Sequence, residues 1–233
     1  MTGLVFLHGW GYGPETWDGL ATVFSPAPVM VLDVGYFGKP HMPQADFLPE
    51  NPDGWIGVGH SLGFARLLAM DLPWRGLVGI GGFLRFCQKP GQDTGTPTDM
   101  LDAMIARLDV APEDVLARFR KRCGHRGSTP GLPGAEGLAR LRADLEHLRD
   151  LDYCAMDLCP QKRQLPTLFL QAQDDRIVPP DLAREAQAQL SGTIPGTMPG
   201  SRFALLDTGG HALPMTRPQD CQRLIQEFLH DLG

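Results

Sequence analysis

The sequence contains a serine in a setting that could make it a nucleophile. The motif GHSLG at residues 59–63 follows an apolar run that predicts a buried strand and precedes a helical pattern that runs to Met70. A strand, a tight turn and a helix expose the serine at the turn, and the flanking glycines let neighbouring backbones approach. The helix start also offers N–H groups to a developing anion. We therefore predict Ser61 as a catalytic nucleophile.

His211 is the candidate base for this serine. A serine hydroxyl is a poor nucleophile at neutral pH and needs a group that takes its proton. His211 lies in TGGHA at residues 208–212, directly after the last predicted strand. In a parallel sheet that position is at the same edge as Ser61, where ligands bind.

The acid that orients the base should follow the preceding strand, Thr167 to Leu170. Two adjacent aspartates, Asp174 and Asp175, stand there, and Asp207 is a more distant third candidate. With either of the first two, the chain order is Ser, Asp, His, which is one of the known orders of a catalytic triad.

Short runs of consecutive apolar residues, with no alternation between apolar and polar positions, predict the strands that carry these residues. Such runs are typical of strands buried on both faces of a parallel sheet. Helical patterns lie between several of them, and the clearest is an apolar stripe from Cys221 to Leu232. Strand and helix alternation predicts a doubly wound α/β fold. The predicted strands are 4–7, 29–32, 55–58, 77–80, 167–170 and 203–206.

One segment interrupts the alternation. Residues 84–164 contain no convincing buried strand, and apolar residues recur there at helical spacing. We predict a helical cap at 84–164, inserted into a core formed by 1–83 and 165–233. The Gly/Pro-rich loop at 124–137 is expected to be the most mobile part of this cap.

Composition excludes several other classes of protein. The 233 residues carry 21 Lys and Arg against 27 Asp and Glu, and 42% are apolar, which is ordinary for a globular domain. The acidic balance argues against general nucleic-acid binding, and no apolar run is long enough for a membrane helix. No secretory signal is visible, and five cysteines without paired spacing favour reduced thiols. We expect a cytoplasmic protein.

Five motifs together resemble the α/β-hydrolase family. They occur in the order that the family has and span nearly the whole chain. Within the family, the chain is most similar to esterases of biotin synthesis that act on carrier-borne substrates. The features that carry this similarity are HGWG, the tryptophan at position 17, the GHSLG turn and a helical cap. The motifs are HGWG at 8–11, DVGYFG at 33–38, GHSLG at 59–63, DDRIVP at 174–179 and GGHA at 209–212.

The resemblance implies roles for individual residues. Ser61 matches the family's nucleophile and His211 its base, and the D-x-x-V-P pattern selects Asp175 over Asp174 as the acid. The backbone N–H groups of Trp10 and Leu62 match the oxyanion-hole donors. The resemblance implies a serine carboxylesterase that works through an acyl-enzyme, without metal or cofactor.

Other candidates carry weaker signals. Phe83, Leu84 and Phe86 are candidates for an acyl pocket, although core packing explains them equally well. His8 reads as a structural residue that braces the loop bearing Trp10, and His60 as a residue packed beside the serine turn.

The cap concentrates positive charge. Residues 101–163 hold eleven Lys and Arg against ten Asp and Glu, in a protein whose net charge is −6. The simplest interpretation is a set of solvated helix faces. The resemblance adds another, in which cap arginines bind an acidic acyl-carrier protein and the contacts weaken with salt. The candidate contacts are Arg107, Arg118, Arg122, Arg140 and Arg142.

Two rival functions stay open at this point. The same scaffold could serve a small-molecule esterase, a thioesterase or a C–C bond hydrolase, since the fold does not choose the reaction. A binding protein that kept the serine turn without catalysis is the other rival, and loss of activity on replacing Ser61 would distinguish it from an enzyme.

Overall fold

The architecture is a six-stranded parallel sheet with helices on both faces. The computed structural model describes residues 1–43, 48–125, 131–153, 158, 160–190 and 201–233. The strand order is β2-β1-β3-β4-β5-β6 and every neighbouring pair is parallel. The predicted α/β-hydrolase fold class is confirmed. The strands are β1 (Gly3–Leu7), β2 (Val29–Leu32), β3 (Trp55–His60), β4 (Trp74–Ile80), β5 (Thr167–Ala172) and β6 (Ser201–Leu206).

Helices cover both faces of the sheet because the strands are apolar on both sides. On one face, α1 and α6 pack against Val5, Leu77 and Phe169. On the other, α8 packs against Ile56 and Leu168 together with two short 3-10 segments, Pro14–Trp17 and Ala21–Phe24. The helices are α1 (Leu62–Ala69), α2 (Thr98–Val110), α3 (Pro112–Arg122), α4 (Ala135–Asp150), α5 (Pro160–Arg163), α6 (Pro180–Leu190), α7 (Leu213–Thr216) and α8 (Pro218–Asp231).

The segment between β4 and β5 is helical, as its periodicity predicts. It holds α2 to α5, and its described residues contain no strand of the sheet. The apolar sides of α2, α3 and α4 form one cluster that also includes Trp10 and Tyr12 from the loop after β1. Residues 126–130 of the Gly/Pro-rich loop lie outside the described residues. Among the helices that are described, none is long and apolar enough to cross a membrane.

The order of the strands creates a binding position between β1 and β3. The chain passes from β1 to β2 on one side and then returns to β3 on the other side of β1. At such a reversal the loops after the two strands diverge and leave a crevice at the carboxyl edge, where ligands of α/β proteins bind. HGWG follows β1 and Ser61 follows β3, so both lie at this crevice.

Candidate active site

Ser61 occupies a strained turn between β3 and α1. Its backbone has φ +54° and ψ −123°, and it is the one described residue other than glycine with positive φ. Strain of this kind persists where the surroundings hold it, and it is frequent at functional sites. A Cβ at Gly63 would lie 2.2 Å from the carbonyl oxygen of Leu7, and one at Gly59 2.3 Å from the Cα of Phe64. Glycine is therefore required on both sides of the serine.

Asp175 and His211 form a buried hydrogen-bonded pair. Nδ1 of His211 lies 2.8 Å from Oδ2 of Asp175, and the exposed fractions of the two residues are 1% and 7%. Because an ionised carboxylate only accepts, Nδ1 carries the proton and Nε2 has a lone pair. Nε2 has no hydrogen-bond partner among the described residues. This arrangement leaves Nε2 of His211 free to accept a proton.

The environment of Asp175 favours its ionised form. Burial acts to raise the pKa of Asp175, but the charge and hydrogen bond of His211 oppose it, and so do the N–H groups of Val178 and Ile177. These two N–H groups reach Oδ1 at 2.9 and 2.8 Å. The net result is a pKa below the usual value, so Asp175 is negative at neutral pH and holds the imidazole in the tautomer just described.

Asp174 and Asp207 are oriented differently. Oδ1 of Asp174 accepts the N–H of Gly210 at 2.8 Å, so this carboxylate connects the loops after β5 and β6 without contacting the imidazole. Asp207 is exposed. Of the three aspartates considered from the sequence, the structure brings Asp175 to His211.

The loop after β1, which carries Trp10, lies against Ser61, and both residues line the same cavity. A Cβ on Gly9 would lie 2.9 Å from the Cβ of Ser61, so this loop is in contact with the serine. The carbonyl of Gly9 accepts from Nδ1 of His8 at 2.9 Å. In a planar trans peptide the carbonyl and the following N–H point in opposite directions, so His8 sets the direction of the Trp10 N–H. Among the described residues neither this N–H nor that of Leu62 has a partner.

His60 contacts both the backbone and the ring of His211. Nε2 of His60 lies 2.9 Å from the carbonyl oxygen of His211, and the two rings stand 4.9 Å apart. Burial above all, and then the nearby charge of His211, lower the pKa of His60 to about 3. His60 is therefore a neutral donor at Nε2. The sequence predicts that His60 packs beside the serine turn, but spacing does not reveal its hydrogen-bond partner, which is 151 positions away.

A cavity of about 540 Å³ opens above Ser61, within the range of roughly 300–1,000 Å³ that is common for small-molecule sites. Most of its wall is apolar and comes from α2, α3 and α4. Of the three acyl-pocket candidates, Phe86 lines it. Phe83 is fully buried against Phe86, and Leu84 belongs to the layer between the sheet and α1. The apolar lining residues are Trp10, Phe86, Met100, Leu101, Ala103, Met104, Val115, Phe119, Leu145, Leu148 and Ile177.

Arginines gather at the cavity together with a single carboxylate. Arg107 and Arg118 line it and share Asp114, at 3.4 and 2.7 Å. Arg122 and Arg176 also line it and form no ion pair among the described residues. Arg176, in the loop after β5, was not among the sequence candidates, because its approach depends on how that loop folds.

Two of the five predicted carrier contacts lie elsewhere. Arg140 donates to the carbonyl of Gly35 and pairs with Glu136, and Arg142 pairs with Asp109 and Glu146. Neither arginine lines the cavity. No cluster of three or more metal-binding side chains occurs in the part of the chain that the structure describes.

Comparison with known proteins identifies the family of this chain. A model of the alpha/beta hydrolase family matches residues 4–223. The chain belongs to the α/β-hydrolase family. Membership makes it a hydrolase, and several of its relatives in sequence and fold are esterases.

Two relatives and one solved structure illustrate the similarity. The pimeloyl-[acyl-carrier protein] methyl ester esterase of Aromatoleum aromaticum is 32% identical over 97% of each chain. The biotin biosynthesis bifunctional protein BioHC of Saccharophagus degradans is 23% identical over 97% of this chain and 44% of its own length. The esterase EaEST of Exiguobacterium antarcticum covers 99% of this chain and 92% of its own, with TM-score 0.76 and 15% identity, and so shares the fold.

Proposed function

We propose that the protein is a cytoplasmic serine carboxylesterase that hydrolyses the methyl ester of pimeloyl-acyl-carrier protein in biotin synthesis. The observation that carries the proposal is the cavity, which is lined by Ser61, by apolar side chains and by four arginines. The 32% identity with an esterase of that name supports the substrate. Buried free thiols at Cys87, Cys123 and Cys221 suit a reducing compartment.

The reaction follows from the arrangement of the candidate residues. Ser61 Oγ attacks the ester carbonyl while Nε2 of His211 takes its proton, and Asp175 stabilises the resulting imidazolium. The N–H groups of Trp10 and Leu62 bind the oxyanion, and removal of one such donor commonly costs about 3 kcal/mol. The imidazolium then protonates the departing methanol. Water activated by His211 cleaves the acyl-enzyme and releases a carboxylate.

The substrate has a feature that matches each part of the cavity. Its methyl ester lies at the far end of an apolar chain, and a thioester joins the other end to the carrier. With the ester at Ser61, the chain contacts the apolar wall and the carrier stays outside. Arg107, Arg118, Arg122 and Arg176 would then face an acidic partner, to which charge complementarity gives faster association.

The product distinguishes this proposal from its rivals. Wild type and Ser61→Ala are incubated with pimeloyl-acyl-carrier protein methyl ester, and the carrier is analysed by mass spectrometry. We expect the methyl group to be lost while the acyl chain stays attached, in the wild type only. Release of the whole acyl chain would identify a thioesterase. If the wild type does not react with the carrier-borne ester but still hydrolyses p-nitrophenyl butyrate, a small-molecule esterase would be favoured.

A genetic experiment tests the same substrate assignment inside cells. The coding sequence is expressed in a bacterial strain that lacks its own pimeloyl esterase, and growth is followed without biotin. We expect growth with the wild type and none with Ser61→Ala. An active, soluble wild-type protein that fails to support growth would overturn the substrate assignment.

A further inference from the structure

Arg120 is buried at the end of α3 without an acidic partner. The residue is 3% exposed, and its Nε and Nη2 both donate to the carbonyl oxygen of Gly11, at 3.0 and 2.6 Å. The guanidinium lies over the rings of Tyr12 and Phe37, at 5.5 and 5.0 Å from their centroids. It forms no ion pair among the described residues. Because burying a charge without an acidic partner is costly, the hydrogen bonds to Gly11 and the two ring contacts have to offset that cost.

The carbonyl that Arg120 binds belongs to the loop of the proposed oxyanion donor. Gly11 follows Trp10 directly and has a φ of +71°. Trp10 is itself attached to the inserted helices twice. Its Nε1 donates to the carbonyl of Leu141 in α4 at 2.8 Å, and its ring meets that of Phe119 edge to face, with centroids 4.8 Å apart. The position of this loop is therefore set by α3 and α4 as well as by β1.

The same end of α3 contacts the loops of the acid and the base. Nε of Arg122 donates to the carbonyl oxygen of Arg176, the residue after Asp175, at 3.1 Å. The carbonyl oxygen of Cys123 accepts the N–H of Ala212, the residue after His211, at 3.0 Å. Residues 119–123, which we call the α3 clamp, thus bind the oxyanion, acid and base loops together.

We propose that Arg120 is a positioning residue, which through its two hydrogen bonds to Gly11 holds the Trp10 N–H in register with Ser61. The inference rests on the esterase function proposed above, in which that N–H binds the oxyanion. A shift of one ångström in a catalytic group can reduce turnover about a hundredfold. Arg120 would therefore increase stabilisation of the transition state and have little effect on the affinity for a short ester.

The test compares Arg120→Met with Arg120→Lys and Arg75→Met. Arg75 is the matched control, since it also donates to main-chain carbonyls, those of Asp53 and Leu232. It lies at the start of β4, at the amino ends of the strands, whereas the candidate site lies at their carboxyl ends. With p-nitrophenyl butyrate we expect Arg120→Met to lose about ten- to a hundredfold in kcat with little change in KM. Arg120→Lys keeps a donor and should recover part of the loss, and Arg75→Met should keep its kcat.

Inhibition by a boronic acid, which mimics the tetrahedral intermediate, gives a second measurement. Its Ki in Arg120→Met should rise by the factor by which kcat/KM falls, since both depend on the oxyanion hole. A kcat within twofold of wild type would overturn the proposal, as would an equal loss in Arg75→Met. Ser61→Ala tests the esterase function separately, because its activity must vanish whatever Arg120 does.

Hydrogen exchange tests the positioning role without any ester. Amides of residues 8–12 should exchange faster in Arg120→Met than in the wild type, whereas Arg75→Met should leave them unchanged. Unchanged exchange in folded Arg120→Met would overturn the proposal even if the substrate were of another class. If Arg120→Met does not fold, the same exchange measurement is made on Arg120→Lys. Faster exchange of residues 8–12 in that variant would support the proposal, and unchanged exchange would overturn it.

Discussion

His60 donates a hydrogen bond to the carbonyl oxygen of His211, with 2.9 Å between Nε2 and the oxygen. The residue before the proposed nucleophile therefore supports the backbone of the proposed base, 151 positions further along the chain. This bond requires a hydrogen on Nε2. Burial lowers the pKa of His60 to about 3, and so the ring stays neutral in the folded protein.

We predict that His60 makes the protein less stable in mild acid. In the unfolded chain a histidine takes up a proton below a pH of about 6.5, whereas folded His60 does not until the pH is about 3. Between these values the unfolded state binds more protons, so stability is lost as the pH falls. His60→Gln should reduce the difference in unfolding free energy between pH 7 and pH 5 by about 2 kcal/mol.

Urea unfolding of both proteins at the two pH values measures this difference. Glutamine can still donate to the carbonyl of His211, so the variant should fold. Equal pH dependence in the wild type and the variant would show that His60 is not a neutral group in the folded state.

The two neighbouring aspartates should respond differently to the same substitution. Asp175→Asn replaces the acceptor of the His211 proton and favours the wrong tautomer, so kcat should fall about a thousandfold or more. Asp174→Asn keeps an oxygen that can accept from Gly210 and should lose less than about tenfold. Hydrolysis of p-nitrophenyl butyrate measures both. A severe loss confined to Asp174→Asn would assign the acid to that residue instead.

Narrowing the cavity should change the preferred chain length. Met104 of α2 lines the cavity, and tryptophan there would fill part of its volume. We expect Met104→Trp to lower kcat/KM for p-nitrophenyl octanoate about tenfold more than for the acetate. Val110→Trp is the control, since Val110 belongs to the same helix and is 75% exposed. The same relative loss in both variants would show that the long chain does not occupy this space.

Charge reversal at the cavity tests carrier binding. Arg107→Glu with Arg118→Glu should raise KM for the carrier-borne ester about tenfold or more and weaken its dependence on salt. Turnover of p-nitrophenyl butyrate should stay near the wild-type value. Arg223→Glu reverses an exposed charge on α8, away from the cavity, and should have no effect on either substrate. An unchanged KM in the double variant would remove these arginines from the carrier site.

The elements were predictable where apolar patterning alone decides them. All six predicted strands occur in the sheet, because uninterrupted aliphatic runs such as Leu4 to Leu7 suit burial on both faces. Strand ends also predicted which loops meet, and so the approach of Asp175 to His211. Between the adjacent aspartates, however, the strand ends give no preference, and only the D-x-x-V-P pattern of the family resemblance selects Asp175. Their orientation depends on the N–H groups of Ile177 and Val178, which bind only one of them.

The arginines show what patterning could not distinguish. In the sequence they form one group on amphipathic helices, but in the structure Arg118 is exposed, Arg140 binds the carbonyl of Gly35 and Arg120 is buried against Gly11. The contacts of Arg140 and Arg120 are with residues more than a hundred positions away, which helical spacing does not reveal. Phe83 and Phe86 differ for the same reason, since only the second faces the cavity.

The α3 clamp has a consequence for protein engineering and for the evolution of this family. Helical segments such as the one between β4 and β5 invite exchange between related enzymes as a way to change substrate preference. Here the end of α3 binds the loops of Gly11, Arg176 and Ala212. A chimaera that receives a foreign insertion should therefore retain residues 119–123, or acquire matching changes in all of these loops, before it can inherit the donor's specificity.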